Sequence, residues 1–216
     1  MNDAVEESTP GDLIAAARTL AAVGERRILG IAGAPGAGKS TLAEYLVASL
    51  GPEVAVLVPM DGFHLSNEVL RDLGRHGSKG AHDTFDDGGY ARLLQTIRSQ
   101  RPGDPVVYAP KFRRDIEESI GSAIPVRSTV PLVITEGNYL LLKSDVWSAA
   151  RASVDEVWFL DLPAEERRIR LVRRHERYGK SSEEASFWAA GSDERNAEVV
   201  AATAGRADRV VRLGQD

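Results

Sequence analysis

One glycine-rich stretch of the sequence has the residue types and spacing of a phosphate-binding loop. Residues 33–41 read Gly-Ala-Pro-Gly-Ala-Gly-Lys-Ser-Thr, which fits the pattern G-x-x-x-x-G-K-[S/T]. Glycines let successive backbone N–H groups curl around a phosphate, and the start of a following helix adds its positive dipole end. In such a loop Lys39 reaches the β- and γ-phosphates of a nucleotide, and the Ser40 hydroxyl ligates Mg²⁺. The predicted nucleotide-binding residues are Gly33, Ala34, Pro35, Gly36, Ala37, Gly38, Lys39, Ser40 and Thr41.

The sequence on either side supplies the elements that such a loop needs. An apolar run at residues 28–32 precedes it and predicts a buried strand, while residues 42–50 place apolar side chains on one helical face. Average residue usage gives a chance match to the pattern in well under about 1 in 100 chains of this length. A coincidental glycine-rich loop is therefore the weaker explanation.

Three acidic residues fall where apolar, strand-like runs end: Asp61, Glu136 and Asp161. Ligands of open α/β sheets lie beyond the carboxyl ends of the strands, at the edge where the phosphate loop also lies. A kinase needs an acid near Mg²⁺ and another that accepts the proton of the substrate hydroxyl. We therefore hypothesise that Asp61 is the base and that Glu136 holds Mg²⁺ directly or through water. Asp161 is followed by Leu162 and Pro163, so a helix cap is the expected role for it.

The stretch from Arg167 to Arg177 contains six arginines, four of which form one stripe on a predicted helix. The stripe consists of Arg167, Arg170, Arg174 and Arg177. Pairing with neighbouring glutamates is the ordinary explanation for such a run. Four like charges on one stripe repel each other, however, so a polyanion opposite them is the better explanation. The Gly-Lys-Ser-Ser sequence at 179–182 then predicts a flexible break, as in a lid that closes over a triphosphate.

Strand-like and helix-like patterns alternate along the chain and indicate an α/β fold. We predict a mostly parallel sheet with helices on both faces, a pair of short edge strands and an arginine-rich helical lid. The whole chain, residues 1–216, is predicted to be a single domain. Its parts are an N-terminal helix within 1–26, the edge strands at about 104–128 and the lid at about 163–182. Residues 65–85 are predicted to be irregular.

The composition excludes several classes of protein. The 216 residues are 43% hydrophobic and 27% charged, which is ordinary for one globular domain. The formal net charge of −5 argues against nucleic acid as the main partner. The absence of cysteine excludes disulfides, thiolate metal sites and cysteine nucleophiles. Since no run approaches about 18 apolar residues and the acidic first residues do not resemble a signal peptide, we expect a cytoplasmic protein without a membrane partner.

Together these motifs resemble the phosphoribulokinase/uridine kinase/type I pantothenate kinase group of P-loop kinases. The resemblance extends from about residue 27 to residue 213 and is greatest to small bacterial members, often labelled fructose-transport-system kinases or nucleoside/nucleotide kinase-like proteins. The phosphate loop alone is generic. The more specific blocks are Met-Asp-Gly-Phe-His at 60–64, Thr-Phe-Asp at 84–86, and Glu-Gly-Asn-Tyr-Leu-Leu-Leu at 136–142 with Trp147.

The resemblance implies an α/β fold with a P-loop NTPase-type parallel sheet of about five strands and a small antiparallel hairpin. It also implies that ATP donates its γ-phosphoryl group, with Mg²⁺, to a hydroxyl of a small metabolite such as a sugar, a nucleoside or pantothenate. The implied catalytic residues are Asp61, Lys39, Arg174 and Arg177. Arg173 is implied as a further lid arginine on the nucleotide, and Ser40 and Glu136 as the metal ligands. The candidate acceptor-binding residues, which are rich in hydrogen-bond donors, are Asp61, His64, Tyr108, Arg113, Arg114, Asn138 and Tyr139.

The sequence leaves the acceptor and some alternatives open. Relatives tend to read Phe-Asp-Arg where this chain has Phe112-Arg113-Arg114, so the acceptor does not follow from the resemblance. A GTPase would need an Asn-Lys-x-Asp motif, and a motor or transporter ATPase a strand-final Asp-Glu pair or a Ser-Gly-Gly signature; we find none of them. A regulatory ATP-binding protein without metabolite kinase activity remains the alternative. The oligomeric state is open as well, with a homodimer as one option.

Overall fold

The computed structural model describes residues 5–179 and 181–214. The strands are β1 (Glu6–Ser8), β2 (Arg27–Ala32), β3 (Ala55–Pro59), β4 (Val107–Arg113), β5 (Glu118–Val126), β6 (Leu132–Gly137), β7 (Glu156–Leu160) and β8 (Arg209–Leu213). The α-helices are α1 (Pro10–Ala21), α2 (Lys39–Leu50), α3 (Asn67–Asp72), α4 (Asp87–Ser99), α5 (Asp145–Ala152), α6 (Ala164–Arg177), α7 (Ser182–Ala190) and α8 (Ser192–Ala201). Residues 1–4 of the predicted N-terminal segment and Lys180 of the predicted break lie outside the described residues.

Six parallel strands form the main sheet, in the order β1-β8-β7-β2-β6-β3. The register places both Ile31 of β2 and Pro59 of β3 beside Glu136 of β6. The carboxyl ends of these three neighbouring strands are therefore level, and the segments that follow them meet at one edge. The predicted α/β fold with a parallel sheet is confirmed. The sixth strand, β1, has only three residues and is too short for a sequence pattern to reveal.

Helices cover both faces of the sheet, each over its own apolar core. Leu13 of α1 and Leu46 of α2 belong to one core, while Tyr90 of α4 and Trp147 of α5 belong to the other. The central strands are buried on both sides, which is why they read as continuous apolar runs rather than alternating ones.

The helix starts follow local capping chemistry. Thr9 and Asp12 form the capping box that begins α1, and Asp86 caps α4 by accepting a hydrogen bond from the Gly89 N–H at 2.7 Å. The prediction that residues 65–85 are irregular is wrong in part, because α3 lies among them. Ser66 caps this helix, but its six residues are too few to show a helical period.

The antiparallel hairpin of β4 and β5 lies against the edge of the sheet where the acids meet. It packs on the 3₁₀ turn after β3, at Gly62. A Cβ atom at Gly62 would lie 2.5 Å from the carbonyl oxygen of Pro110, so a glycine is needed for this approach. β4 and β5 are longer than the short strand-like segments of sequence from which the hairpin was predicted.

The arginine-rich helix α6 packs directly on the phosphate loop. Gly36 has φ +83°, and a Cβ atom there would lie 2.8 Å from Leu171 Cγ and 2.9 Å from the carbonyl oxygen of Arg167. Glycine therefore satisfies both the backbone conformation and the contact. In the part of the chain that the structure describes, no helix has the length and apolar character to cross a membrane.

Candidate active site

The phosphate loop connects β2 to α2 and ends in a buried lysine. Gly38 has φ +99° and precedes Lys39, the first residue of α2. Lys39 is only 7% exposed. The Lys39 ammonium donates to Asn138 Oδ1 at 2.7 Å and to the carbonyl oxygen of Ala34 at 3.1 Å. Burial lowers the pKa of Lys39 to about 8, although Glu136 and Asp61 nearby act in the opposite direction. This end of the site thus holds a cation whose charge an incoming phosphate would stabilise.

Ser40 and Glu136, the two predicted metal ligands, lie in contact. The Ser40 hydroxyl donates to Glu136 Oε1 at 3.0 Å. Burial, and next the negative charge of Asp61, raise the pKa of the Glu136 carboxyl to about 7. These oxygen donors fit Mg²⁺, which would also favour the ionised carboxylate. Among the described residues no three His, Cys, Asp or Glu side chains form a group that could hold a metal, so further Mg²⁺ ligands here would be phosphate or water oxygens.

Asp61 lies in the 3₁₀ turn after β3, and an arginine of the hairpin pairs with it. Arg114 Nη2 is 2.9 Å from Asp61 Oδ2, and the two side chains are 37% and 26% exposed, respectively. This ion pair joins the hairpin to the turn that carries the candidate base.

The imidazole of His64 lies beside Asp61 and between two aromatic rings. Its centroid is 4.1 Å from that of Phe85 and 4.6 Å from that of Phe112. Burial lowers the pKa of His64, so the ring is neutral at pH 7. His64 Nδ1 is 2.8 Å from the carbonyl oxygen of Asp61. Since a carbonyl only accepts, Nδ1 carries the proton, which leaves Nε2 as an acceptor for a hydroxyl group.

A cavity of about 490 Å³ joins the phosphate loop to the hairpin. We call the part at Lys39, Ser40 and Glu136 the phosphate end, and the part at Asp61 and Arg114 the acceptor end. The candidate residues that line the cavity are Pro35, Lys39, Ser40, Asp61, His64, Arg114, Glu136, Asn138 and Arg174. The strand order explains their arrangement, because β6 lies between β2 and β3 and so places Glu136 between the loop and Asp61.

This cavity is not lined by the other candidates, which are the loop residues Gly33, Ala34, Gly36, Ala37, Gly38 and Thr41, and Tyr108, Arg113, Tyr139, Arg173 and Arg177. Tyr108 is 55% exposed on the hairpin, and Arg113 forms an ion pair with Asp115 at 2.6 Å. Tyr139 is buried and donates its hydroxyl to the carbonyl oxygen of Gly80 at 2.6 Å, so it supports the cavity wall from behind. Arg173 and Arg177 are exposed on α6.

The arginine stripe does not face a single polyanion. Arg167 is buried and pairs with Glu194 of α8, and Arg170 pairs with Glu166 one turn earlier on α6. Within the stripe, Arg174 lines the cavity. An anion in the cavity could therefore meet Arg174, whereas Arg167 and Arg170 already have carboxylate partners.

Asp161 has a structural role that differs from the predicted cap. It pairs with Arg212 of β8, and Pro163 occupies the N-cap position of α6 without a side-chain hydrogen bond. It follows β7, on the side of β2 opposite to β6, and this position separates it from the other two acids.

Several residues that line the cavity were not among the sequence candidates. At the acceptor end these include Asn67, His76, Lys79, Phe85 and Phe112. On the side of α6 to α8 they include His175, Tyr178, Trp188, Ser192, Asp193 and Asn196. Asn67, His76 and Lys79 are polar residues between two recognisable blocks, 60–64 and 84–86, and this was their available signal, while Phe85 belongs to the second block itself. The second group had no signal, because its position depends on how α6, α7 and α8 pack against one another.

Comparisons with known proteins agree with the fold and the motifs. A family model described as an AAA domain matches residues 29–189. YggC of Escherichia coli K12 is 34% identical over 196 residues, which cover 88% of this chain and 79% of YggC. A Schizosaccharomyces pombe protein named as a uridine kinase, C227.14, is 33% identical over 181 residues, which cover 80% of this chain and 76% of that protein.

Solved structures show the same architecture. A protein from Silicibacter sp. TM1040, described as a fructose transport system kinase, superposes with a TM-score of 0.83 at 32% identity. The match covers 96% of this chain and 100% of that one. YFH7 from Saccharomyces cerevisiae gives a TM-score of 0.81 at 17% identity over 97% of this chain and 100% of its own, a likeness of fold.

Proposed function

Since the chain belongs to the AAA domain family and to the group of P-loop kinases with relatives named uridine kinase and pantothenate kinase, we propose that it is an ATP-dependent small-molecule kinase. The observation that carries the proposal is that a phosphate loop and a strand-end aspartate, Asp61, open onto one cavity. The enzyme would move the γ-phosphoryl group of ATP to a hydroxyl group of a small metabolite.

Side chains at the two ends of the cavity would have different roles in the reaction. The acceptor oxygen forms a bond to the γ-phosphorus while the bond from that phosphorus to the β–γ bridging oxygen breaks. The proton of the acceptor hydroxyl passes to the Asp61 carboxylate, and the products are ADP and a phosphate monoester. Lys39 and Arg174 stabilise the negative charge on the phosphoryl oxygens. Closure of α6 over the bound nucleotide would exclude water and so favour transfer to the acceptor over hydrolysis.

The donor set at the phosphate end fits Mg²⁺, and Ser40 and Glu136 would hold it. When bound, the ion neutralises charge on the phosphate oxygens. Glu136 contributes its carboxylate once the proton that burial favours has been lost.

The proposal extends to how the kinase domain is organised and where it acts. We propose that residues 1–216 form one kinase domain, with the β4–β5 hairpin on the acceptor side and α6 as the core of the lid. The proposed place of action is the cytoplasm. A net charge of −5 supports a small metabolite rather than nucleic acid as the second substrate.

The test is ADP release measured against a panel of sugars, sugar phosphates, nucleosides and pantothenate. Acceptor-dependent ADP release that is lost in Asp61→Asn, with ATP affinity nearly unchanged, would support the kinase and the role of Asp61 as base. Loss of ATP binding in this variant would instead make Asp61 a metal or structural residue. ATP binding without acceptor-dependent turnover would favour the regulatory alternative.

A further inference from the structure

Lys79, in the segment between α3 and α4, carries a charge that no carboxylate neutralises directly. Its ammonium donates to Asn67 Oδ1 at 2.7 Å and to the carbonyl oxygen of Glu117, which are both neutral groups. The same nitrogen lies 5.2 Å from the centroid of the Phe112 ring. Within residues 5–179 and 181–214, no carboxylate oxygen lies within 4.0 Å of it. Burial lowers the pKa of Lys79, as expected for a cation without an ion-pair partner.

Arg114 lines the same end of the cavity and uses a small part of its hydrogen-bonding capacity. Its contact with Asp61 is a single hydrogen bond from Nη2. A guanidinium carries five N–H donors, and its planar fork binds a carboxylate or phosphate through two of them at once. An anion on this fork would therefore lie next to the proposed base.

Three of the acidic groups on this side already accept hydrogen bonds, whereas the Glu117 side chain has no hydrogen-bond or ion-pair partner among the described residues. Asp61 pairs with Arg114, and Asp115 accepts two hydrogen bonds from Arg113. Glu118 accepts from the backbone N–H of Asn67 at 3.0 Å. Glu117 is exposed and lines the cavity, and its charge and that of Glu118 raise the pKa of Lys79 only partly against burial.

Resting on the proposed kinase activity, we propose that the acceptor carries a carboxylate or phosphate group besides the hydroxyl that is phosphorylated, and that Arg114 and Lys79 bind this anionic group. His64 Nε2 accepts a hydrogen bond from a hydroxyl of the same molecule. A neutral sugar or nucleoside would leave Lys79 without a direct ion-pair partner and Arg114 with unused donors. The shared cavity of about 490 Å³ suits a compact acceptor.

The first experiment compares acceptors that differ in the anionic group. Pairs of probes are gluconate with glucose, glucose 6-phosphate with glucose, glycerate with glycerol, and pantothenate with pantothenol, together with uridine. The readout is acceptor-dependent ADP release as kcat/KM. We expect an anionic member to exceed its neutral partner at least about tenfold, which is the lower end of the effect of one hydrogen bond to a charged group. Comparing the carboxylate acceptors with glucose 6-phosphate shows which of the two anionic groups the site binds.

The second experiment assigns the preference to residues. Arg114→Gln and Lys79→Gln should each reduce the ratio of kcat/KM for the anionic acceptor to that for the neutral one by about 10- to 100-fold. KM for ATP should stay within about twofold. Lys111→Gln is the matched control, because Lys111 is an exposed cation of β4 that does not line the cavity. Thermal unfolding of each variant checks that the protein remains folded.

The outcomes separate this proposal from the proposed function. Turnover that favours neutral acceptors, or a ratio unchanged in Arg114→Gln and Lys79→Gln, would overturn the anionic acceptor and leave the kinase intact. An equal fall for both members of a pair in Arg114→Gln would show that this arginine only positions Asp61, and it would also overturn the proposal. Absence of acceptor-dependent turnover with the whole panel would contradict the kinase itself, and the inference would fall with it.

Discussion

The two ends of the cavity are built in different ways. The phosphate end comes from one contiguous loop and the adjacent strand β6, and its charged residues are nearly inaccessible: Lys39 is 7% and Glu136 4% exposed. The acceptor end comes from the turn after β3, the segment between α3 and α4, and the hairpin, and the Arg114 side chain is 37% exposed. The phosphate end would bind the same phosphoryl donor, ATP, whatever the acceptor, which suits a rigid and buried site. The acceptor end is built from loops and a hairpin, whose sequence can change at little cost to the stability of the core.

The same contrast exists in the electrostatics. At the phosphate end, burial shifts Lys39 and Glu136 towards their neutral forms, with pKa values of about 8 and about 7. These groups regain their charges when phosphate and a cation enter, so binding and charging are coupled. At the acceptor end, Asp61 and Arg114 are partly exposed and pair with each other, although burial lowers the pKa of His64 and of Lys79 there as well. The comparison predicts that changes at the phosphate end affect all acceptors alike, and that changes at the acceptor end depend on the acceptor.

The largest effect is expected from Lys39→Met. Removing the ammonium takes away a charge that stabilises the transferring phosphoryl group, and we expect kcat to fall by about 10²- to 10³-fold. The fall should be the same for every acceptor, and ATP should bind more weakly. Steady-state kinetics with two acceptors and ATP titration measure both effects, with Lys111→Met as the control. A loss confined to one acceptor would contradict the division of the cavity.

Gly62→Ala should separate the two ends. The added methyl would lie 2.5 Å from the carbonyl oxygen of Pro110, so the hairpin must shift away from the turn that carries Asp61. We expect kcat/KM for the acceptor to fall about 10- to 100-fold, since misplacement by about 1 Å costs up to about 10²-fold. ATP affinity should stay within about twofold.

Gly121→Ala is the matched control for that change, because Gly121 lies on β5 of the same hairpin and has open space around its Cα. Urea unfolding of both variants detects any general loss of stability. If Gly62→Ala weakened ATP and acceptor equally, the two ends would have to be treated as one unit.

The pKa of Glu136 predicts how stability depends on pH. The folded protein keeps this carboxyl protonated up to about pH 7, while the unfolded chain releases the proton near 4.5. The contribution of the protonated Glu136 carboxyl to the free energy of unfolding is therefore fully present below about pH 4.5 and is lost as the pH rises through about 7. Glu136→Gln keeps a neutral side chain throughout, so we expect it to be more stable than the wild type by about 1–2 kcal/mol at pH 8.

The measurement is urea unfolding without nucleotide at pH 5 and at pH 8. The two proteins should be close in stability at pH 5 and should separate at pH 8. A variant that is less stable than the wild type at pH 8 would mean that the ionised carboxylate is held favourably by Lys39, against the raised pKa.

The comparison of the two ends also explains what the sequence could predict. The phosphate loop, Asp61 and Glu136 lie in or directly after apolar strands, so local pattern and the geometry of a parallel sheet were enough to bring them together. The three-residue β1 and six-residue α3 were too short for any period. Lys79 reaches the cavity only through the fold of the chain around it, and no local pattern shows this.

Long-range pairing limited the prediction for α6 in the same way. Spacing alone placed Arg167 on one stripe with Arg174, but the partner of Arg167 is Glu194 of α8, 27 residues away. A charged side chain is free for a ligand only if nothing else in the fold neutralises it, and such partners lie outside any sequence window.

The smallest effects are expected from Tyr108→Phe and Arg113→Gln, at residues that sequence spacing had placed on the acceptor side. Tyr108 is 55% exposed, and Arg113, which does not line the cavity, forms an ion pair with Asp115. Neither side chain lines the cavity, and an exposed ion pair contributes about 1 kcal/mol or less, which corresponds to at most about fivefold. We therefore expect kcat/KM for any acceptor to stay within about fivefold of the wild type. Acceptor kinetics of both variants beside Arg114→Gln test this directly. Arg113 and Arg114 are neighbours in sequence and both cationic, so a large effect at 114 and none at 113 would show that the direction of the side chain decides acceptor binding. A tenfold loss in Arg113→Gln would mean that local positive charge decides it instead.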